Sequence, residues 1–335
     1  MCIPELDRLN AEMQRIADKK STNPKAKASV PSMQILSYVY RDHLADETDS
    51  FQGIMNNLKD ITIDFYRRFN LKKPEDGAFN NCNGRWCEYI FAATTWNLLA
   101  EKNRNTESED CYVYIKLPNN NTSRNNWTCL LEHSVKRVID SFNRDSTNQL
   151  IANSGHNRFI LYSSNPDSMI LKFKKEKLTE LGVLQTVSEN INNLNADSIQ
   201  IIDGMFNLLR NSAIPSKNLV AFLSVKSTLR PDRRYQFVHE GDVAKATIMF
   251  VAARGADPGL AQISVTNFLQ NKVFAVSFGG VTNKDLQMTD IAMSACVSSP
   301  LMDPVWSLDK LFDCKKISDA NAAVNNIIDL SITSP

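Results

Sequence analysis

The sequence predicts one α/β domain, a central mixed β-sheet flanked by helices, with an N-terminal helical region. Three observations carry this. Residues 219–225 read LVAFLSV, an apolar run too continuous for an edge strand, so it belongs in the middle of a sheet. Strand-like runs and apolar residues at helical spacing succeed one another between residues 85 and 278. Residues 1–75 read as charged and helical, interrupted by the polar stretch STNPKAKASVPS at 21–32. A chain of 335 residues can bury the core of one large domain, here divided into a helical region at 1–80 and a core at 81–335.

The elements follow in order. GAFNNCNGR at 77–85 reads as a loop, and Tyr89, Ala93, Trp96 and Ala100 then mark a largely buried helix over 85–101. YVYIKL at 112–117 is a β-branched and aromatic strand, and the asparagine-rich PNNNTSRNN at 118–126 is a loop. A helix is expected over 128–142. FILYSS at 159–164 is a strand ending at Asn-Pro-Asp, with MILKF at 169–173 as its continuation or hairpin partner. Leu184, Val187, Ile191 and Leu194, then Ile199, Ile202, Phe206 and Leu209, form two helical stripes. NSAIPSKN breaks the chain before LVAFLSV. A helix runs from His239 to about residue 254, and AQISVTN and KVFAVSF within 261–278 are two more strands, the second ended by Gly279-Gly280.

Composition excludes several classes. With 43% hydrophobic and 22% charged residues the chain is an ordinary globular one, not a disordered one. A net charge of +1 excludes a uniformly basic coat but leaves room for a local basic cleft. Seven scattered cysteines without a secretory signal suggest free thiols in a reducing cytoplasm. Cys82 and Cys87 have no second Cys/His pair to complete the four ligands of a structural zinc. No apolar run approaches the roughly 20 residues needed to cross a bilayer, so a soluble protein without a membrane partner is expected.

The chemistry-bearing residues sit at strand ends. A metal-dependent nuclease needs carboxylates for the metal and a fixed cation for the developing charge, and strands about 5 Å apart can bring both to one ion. Asp167 lies just past one predicted strand and Lys226 at the end of another, the layout of a Pro-Asp followed by X-X-Lys. Two residues before the lysine, where an acid is usual, stands Ser224. Glu240, 14 residues after Lys226, can supply the missing carboxylate from the next helix, and Glu88, between Trp86 and Trp96, is a further one.

Beside the lysine, residues 210–234 hold six Lys/Arg against one acid, a local net of +5. Guanine offers two major-groove acceptors that match an arginine fork, and cytosine offers an amino donor that suits a carboxylate. Arg230, Asp232 and Arg233 are therefore a complementary set for adjacent G·C pairs. An aspartate would repel phosphate, which favours base reading over backbone clamping.

Ser224-Val225-Lys226, then Arg230-Pro231-Asp232-Arg233, then Glu240 resemble the signature of type II restriction endonucleases that recognise CCGG-containing sites, a branch of the PD-(D/E)XK nuclease superfamily. In that group a serine or another residue characteristically replaces the acid of the X-X-Lys element and a glutamate of the next helix takes its place. WCEYIFAATTWN is similar to the family helix that carries a further active-site glutamate. The resemblance covers about residues 85–250 and implies a restriction-endonuclease-like core. It also implies Asp167, Lys226, Glu240 and Glu88 as catalytic residues with Ser224 among them, and Asp167, Glu240 and Glu88 as ligands of Mg2+. Arg230, Asp232 and Arg233 would read the inner C·G pairs.

The activity so implied is hydrolysis of double-stranded DNA at a palindrome holding CCGG, or interrupted CC/GG, leaving 5′-phosphate and 3′-hydroxyl ends. One Arg-X-Asp-Arg set serves half a palindrome, so a homodimer, in some relatives a tetramer, is expected in a prokaryotic cytoplasm. Arg234, Arg85, Lys25, Lys27 and Gln34 are polar candidates for flanking-base or phosphate contacts, with Ser32, Lys284, Gln287 and Asp290 beside them. A non-cutting DNA-binding regulator and a repair nuclease of the same superfamily are the alternatives.

Overall fold

In the computed structural model, residues 4–23, 25, 29–119, 126–141, 166–215, 218–229, 231–253, 272–283, 285 and 308–332 are described. Three helices come first: α1 (Pro4–Thr22), α2 (Ser32–Val39) and α3 (Phe51–Arg68). Acidic residues open α1 and lysines close it, matching the helix dipole, while Leu9, Met13 and Ile16 form its buried stripe. Ser50 caps α3 by accepting from the Gly53 amide.

Helix α4 (Asp76–Asn105) begins well before the predicted helix, so the expected loop at 77–85 is helical. Phe79, Cys82, Trp86 and Ile90 are all buried at helical spacing, and that packing outweighs the poor propensity of Gly77, Gly84 and the intervening asparagines. Trp86 is fixed by an indole N–H that donates to Ser32 O at 2.7 Å. Cys82 and Cys87 lie on this helix as free thiols, and burial pushes the Cys82 thiol up to about 11. Cys111, Cys129 and Cys314 likewise form no disulfide.

Among the described residues, five strands form one sheet in chain order: β1 (Asp110–Lys116), β2 (Ser168–Lys174), β3 (Leu219–Lys226), β4 (Lys272–Ser277) and β5 (Lys310–Asp313). The first two pairings are antiparallel and the last two parallel, the mixed sheet expected. LVAFLSV is its central strand, buried from Leu219 to Val225. MILKF pairs with β1 at its full length; FILYSS and AQISVTN lie outside the described residues.

Other expectations are redrawn. The predicted 128–142 helix is a 3-10 turn (Trp127–Leu130) followed by α5 (133–141), parted where Leu131 bridges to Ile214. After α6 (Lys175–Glu180), the 184–194 stripe is helical only in α7 (Leu184–Ser188). Beyond it, α4 side chains take the backbone groups that a helix would use. Trp96 Nε1 donates to Glu189 O, and the Asn97 amide both donates to and accepts from Ile191. Helix α8 (Ala196–Leu209) is capped by Asn195.

Helix α9 (Pro231–Ala253) starts eight residues before His239, with Pro231 at its first position, where a missing N–H costs nothing. Glu240 is therefore inside the helix and not at its start. β5 and α10 (Ile317–Ile332), which no expectation covered, close the fold. The Phe51 amide donates to Lys315 O and the Ile317 amide to Asp49 O, tying α10 to the corner before α3. Among the described residues, no helix is long and apolar enough to cross a membrane.

Candidate active site

The register of β2 against β3 sets Ser168 opposite Leu223, which carries Asp167, the residue before β2, to the Ser224–Lys226 end of β3. Asp167 Oδ2 accepts from Lys226 Nζ at 2.9 Å and from the Val225 amide at 2.6 Å. Its backbone carbonyl accepts from the Leu117 amide at 3.0 Å, so it is held to both neighbouring strands. Strand alternation points Ser224 and Lys226 to the same face.

Helix α9 packs on β3 and delivers Glu240, which is 5% exposed. Ser224 Oγ donates to Glu240 Oε2, and Gln236, one turn earlier, donates to Oε1 at 2.8 Å. Helix α4 brings Glu88 from another direction. Its Oε2 lies 3.4 Å from Nζ of Lys116, the last residue of β1, and among the described residues makes no well-directed hydrogen bond.

Burial, then the nearby Asp167 carboxylate, pushes the Glu88 carboxyl above its ordinary value, while Lys116 and Lys226 pull it back. Burial likewise raises Glu240, against the pull of Lys226 and the hydrogen bonds from Ser224 and Gln236. Burial alone would lower Lys226, but Asp167, Glu240 and Glu88 outweigh it and hold the ammonium above its usual range. Lys226 is thus a firmly charged lysine beside two carboxyls, Glu88 and Glu240, that resist charging.

Three carboxylates and two ammoniums carry −1 when all are ionised. Among the described residues, no three His, Cys, Asp or Glu side chains converge tightly enough to cage a metal ion by themselves. The donor set nevertheless fits a hard divalent cation. Such an ion takes oxygen from one or two carboxylates and completes its shell with water and substrate phosphate, and Glu88 Oε2 is a buried oxygen without a well-directed hydrogen bond among the described residues.

Asp232, Arg233 and Arg234 occupy the first turn of α9; Arg230 lies outside the described residues. Arg85 is exposed on α4 one turn before Glu88. Lys25 is exposed in a turn, and Lys27, Lys284, Gln287 and Asp290 lie outside the described residues. Gln34, on α2, lines a cleft with Arg8 and Ile199 that shares no residue with the carboxylate cluster. Ser32 is buried, which removes it as a surface contact.

Sequence reasoning missed Lys116 and Gln236. A signal for the first was present: YVYIK and LVAFLSVK both end an apolar strand on a lysine.

Residues 16–329 match the family described as Cfr10I/Bse634I restriction endonuclease. The chain belongs to that family. Within the Cfr10I/Bse634I family, the type II restriction enzyme Cfr10I of Citrobacter freundii is 25% identical over 289 residues, covering 86% of this chain and 91% of the relative. The crystal structure of the type IIF restriction endonuclease Bse634I with cognate DNA superposes with a TM-score of 0.73 at 22% identity, covering 91% of this chain and 95% of that one. A second Bse634I structure gives 0.72 at 23% identity, covering 91% and 94%. As a Cfr10I/Bse634I-type enzyme the chain is a site-specific deoxyribonuclease that binds and cleaves DNA, from a family that generally uses divalent metal ions.

Proposed function

We propose that the protein cuts both strands of DNA at a short palindrome containing CCGG, abutting or interrupted, by Mg2+-dependent hydrolysis that leaves 5′-phosphate and 3′-hydroxyl ends. The observation that carries this reading is the contact chain at the end of β3, where Asp167 meets Lys226 and Ser224 meets Glu240 beneath the helix that opens with Asp232 and Arg233.

Asp167 and Glu240, with Glu88, would hold Mg2+, which when bound would lower the pKa of a water and screen the phosphate. Lys226, kept charged by its acidic neighbours, steadies the attacking oxygen and the charge growing on phosphorus. Ser224 orients Glu240, whose other oxygen Gln236 fixes. Arg230, Asp232 and Arg233 read the inner C·G pairs. Arg234, Arg85, Lys25, Lys27 and Gln34 are the polar residues offered for flanking contacts.

The chain works as one nuclease domain, residues 1–80 supporting the core at 81–335. Two copies act on a palindrome as a homodimer, or as a tetramer of paired dimers, in a prokaryotic cytoplasm.

Digestion of a sequenced phage genome with Mg2+, followed by mapping of the ends, tests this. Cuts confined to CC/GG-bearing palindromes and lost on chelation are expected; uniform ends or unrelated sites would overturn the specificity. Arg233→Ala should cost about 1–3 kcal/mol of discrimination at its own G·C pair. Competition binding against sites changed at one base pair measures this, and equal weakening on every sequence would make Arg233 a phosphate contact.

A further inference from the structure

Lys116 is 7% exposed at the end of β1, and no part of the nuclease signature accounts for it. The sheet fixes its backbone beside the site: Lys116 pairs with Ser168, and the next amide, of Leu117, donates to Asp167 O. Its ammonium faces two groups of α4, the Glu88 carboxylate at 3.4 Å and the Tyr89 ring with the centroid at 5.0 Å. That ring is itself anchored, since Tyr89 Oη donates to both Asp203 oxygens at 2.6 and 2.7 Å.

A charge-assisted hydrogen bond of good geometry closes to roughly 2.7–2.9 Å. The Lys116–Glu88 contact stays longer, and Glu88 Oε2, although buried, makes no well-directed hydrogen bond among the described residues. The contrast with Asp167 is sharp, because one oxygen there takes both the Lys226 ammonium and the Val225 amide. Of the two carboxylates, Glu88 is held by charge and is not saturated, so it is the one free to change partners.

We propose that Lys116 is a positioning residue of the cleavage site that holds Glu88 in reserve and competes for it with the incoming divalent cation. Glu88 exchanges the ammonium for the cation, and the ring of Tyr89 keeps a face for the ammonium after the exchange. With Lys116 in place the cluster carries −1, so a divalent cation and one phosphodiester together bring it to neutrality. Without Lys116 it carries −2 and attracts the cation more strongly while losing its competitor. This inference rests on the reading of the cluster as the cleavage site.

The test is Ca2+ binding without DNA, by calorimetry and by the rise in Tm, at an alkaline pH where proton competition is suppressed. Lys116→Met should bind Ca2+ at least about tenfold tighter than the unaltered protein, with a larger Tm rise, and Lys116→Arg should bind as the unaltered protein does. The gain should shrink to its coulombic part when Glu88→Gln is present in both members of the comparison, since the competition runs through that carboxylate. Lys116→Gln, which keeps a donor without the charge, provides the same comparison if the methionine variant does not fold. Unchanged or weaker Ca2+ binding, or a gain undiminished beside Glu88→Gln, overturns the proposal. Undiminished DNA cleavage by Asp167→Asn would instead defeat the cleavage-site reading, so the two failures are distinct.

Discussion

Lys226→Ala is expected to leave sequence-specific DNA binding in place and to remove cleavage, by on the order of a hundred- to a thousandfold in the single-turnover rate. The geometry explains why the fold survives. Asp167 Oδ2 keeps the Val225 amide when the ammonium is gone, and its backbone carbonyl keeps the Leu117 amide. Glu240 keeps Ser224 and Gln236. The carboxylates therefore stay in position while the ammonium paired with Asp167 is lost. Nicking of a supercoiled plasmid with Mg2+ measures the rate and a mobility shift with Ca2+ measures binding. Cleavage within about tenfold of the unaltered enzyme by a clean preparation would remove Lys226 from the chemistry.

Asp309→Ala should cost about 3–5 kcal/mol of stability, because it takes the close carboxylate from a buried lysine. Lys245, on α9 five residues after Glu240, is 3% exposed and meets Asp309 Oδ2 at 2.9 Å. The same oxygen accepts from the Val273 amide at 2.7 Å, and Lys272 approaches the other at 3.5 Å. One aspartate thus pins the helix that carries Glu240 to β4 and to the start of β5. Burial already pulls the Lys245 ammonium below its ordinary value, with Asp309 opposing, so the variant drives it further toward the neutral form. A fall in the denaturant midpoint at unchanged slope reports the loss, and Asp309→Asn, which can still accept from Val273, isolates the charge. A loss under about 1 kcal/mol would mean that the pair behaves like a solvated surface bridge.

What could be read in the chain follows from how local each signal is. The central strand was legible because burial on both faces leaves an unbroken apolar run, and Asp167 and Lys226 because each ends or borders such a run. The first turns of α4 were not, since Gly77 and Gly84 argue for a loop and only tertiary packing of Phe79 and Cys82 overrules them. The start of α9 was hidden by Pro231, which serves a turn and a helix N-terminus equally well. Lys116 was missed because its meaning lies in register: a lysine that ends a strand reads as solvated until its neighbour proves to be the residue after Asp167. β5 and α10 escaped notice because β5 is four residues long and only partly buried.

The bonds from Phe51 to Lys315 and from Ile317 to Asp49 join segments separated by more than half of the polypeptide. Contacts so remote in sequence carry a loop-closure cost that must be met before they stabilise anything. During synthesis, the corner ahead of α3 stays without these partners until the ribosome has released the residues around 317. Deleting the last strand and helix would therefore be felt at the opposite terminus, as fraying of helices that a local reading would have considered self-sufficient.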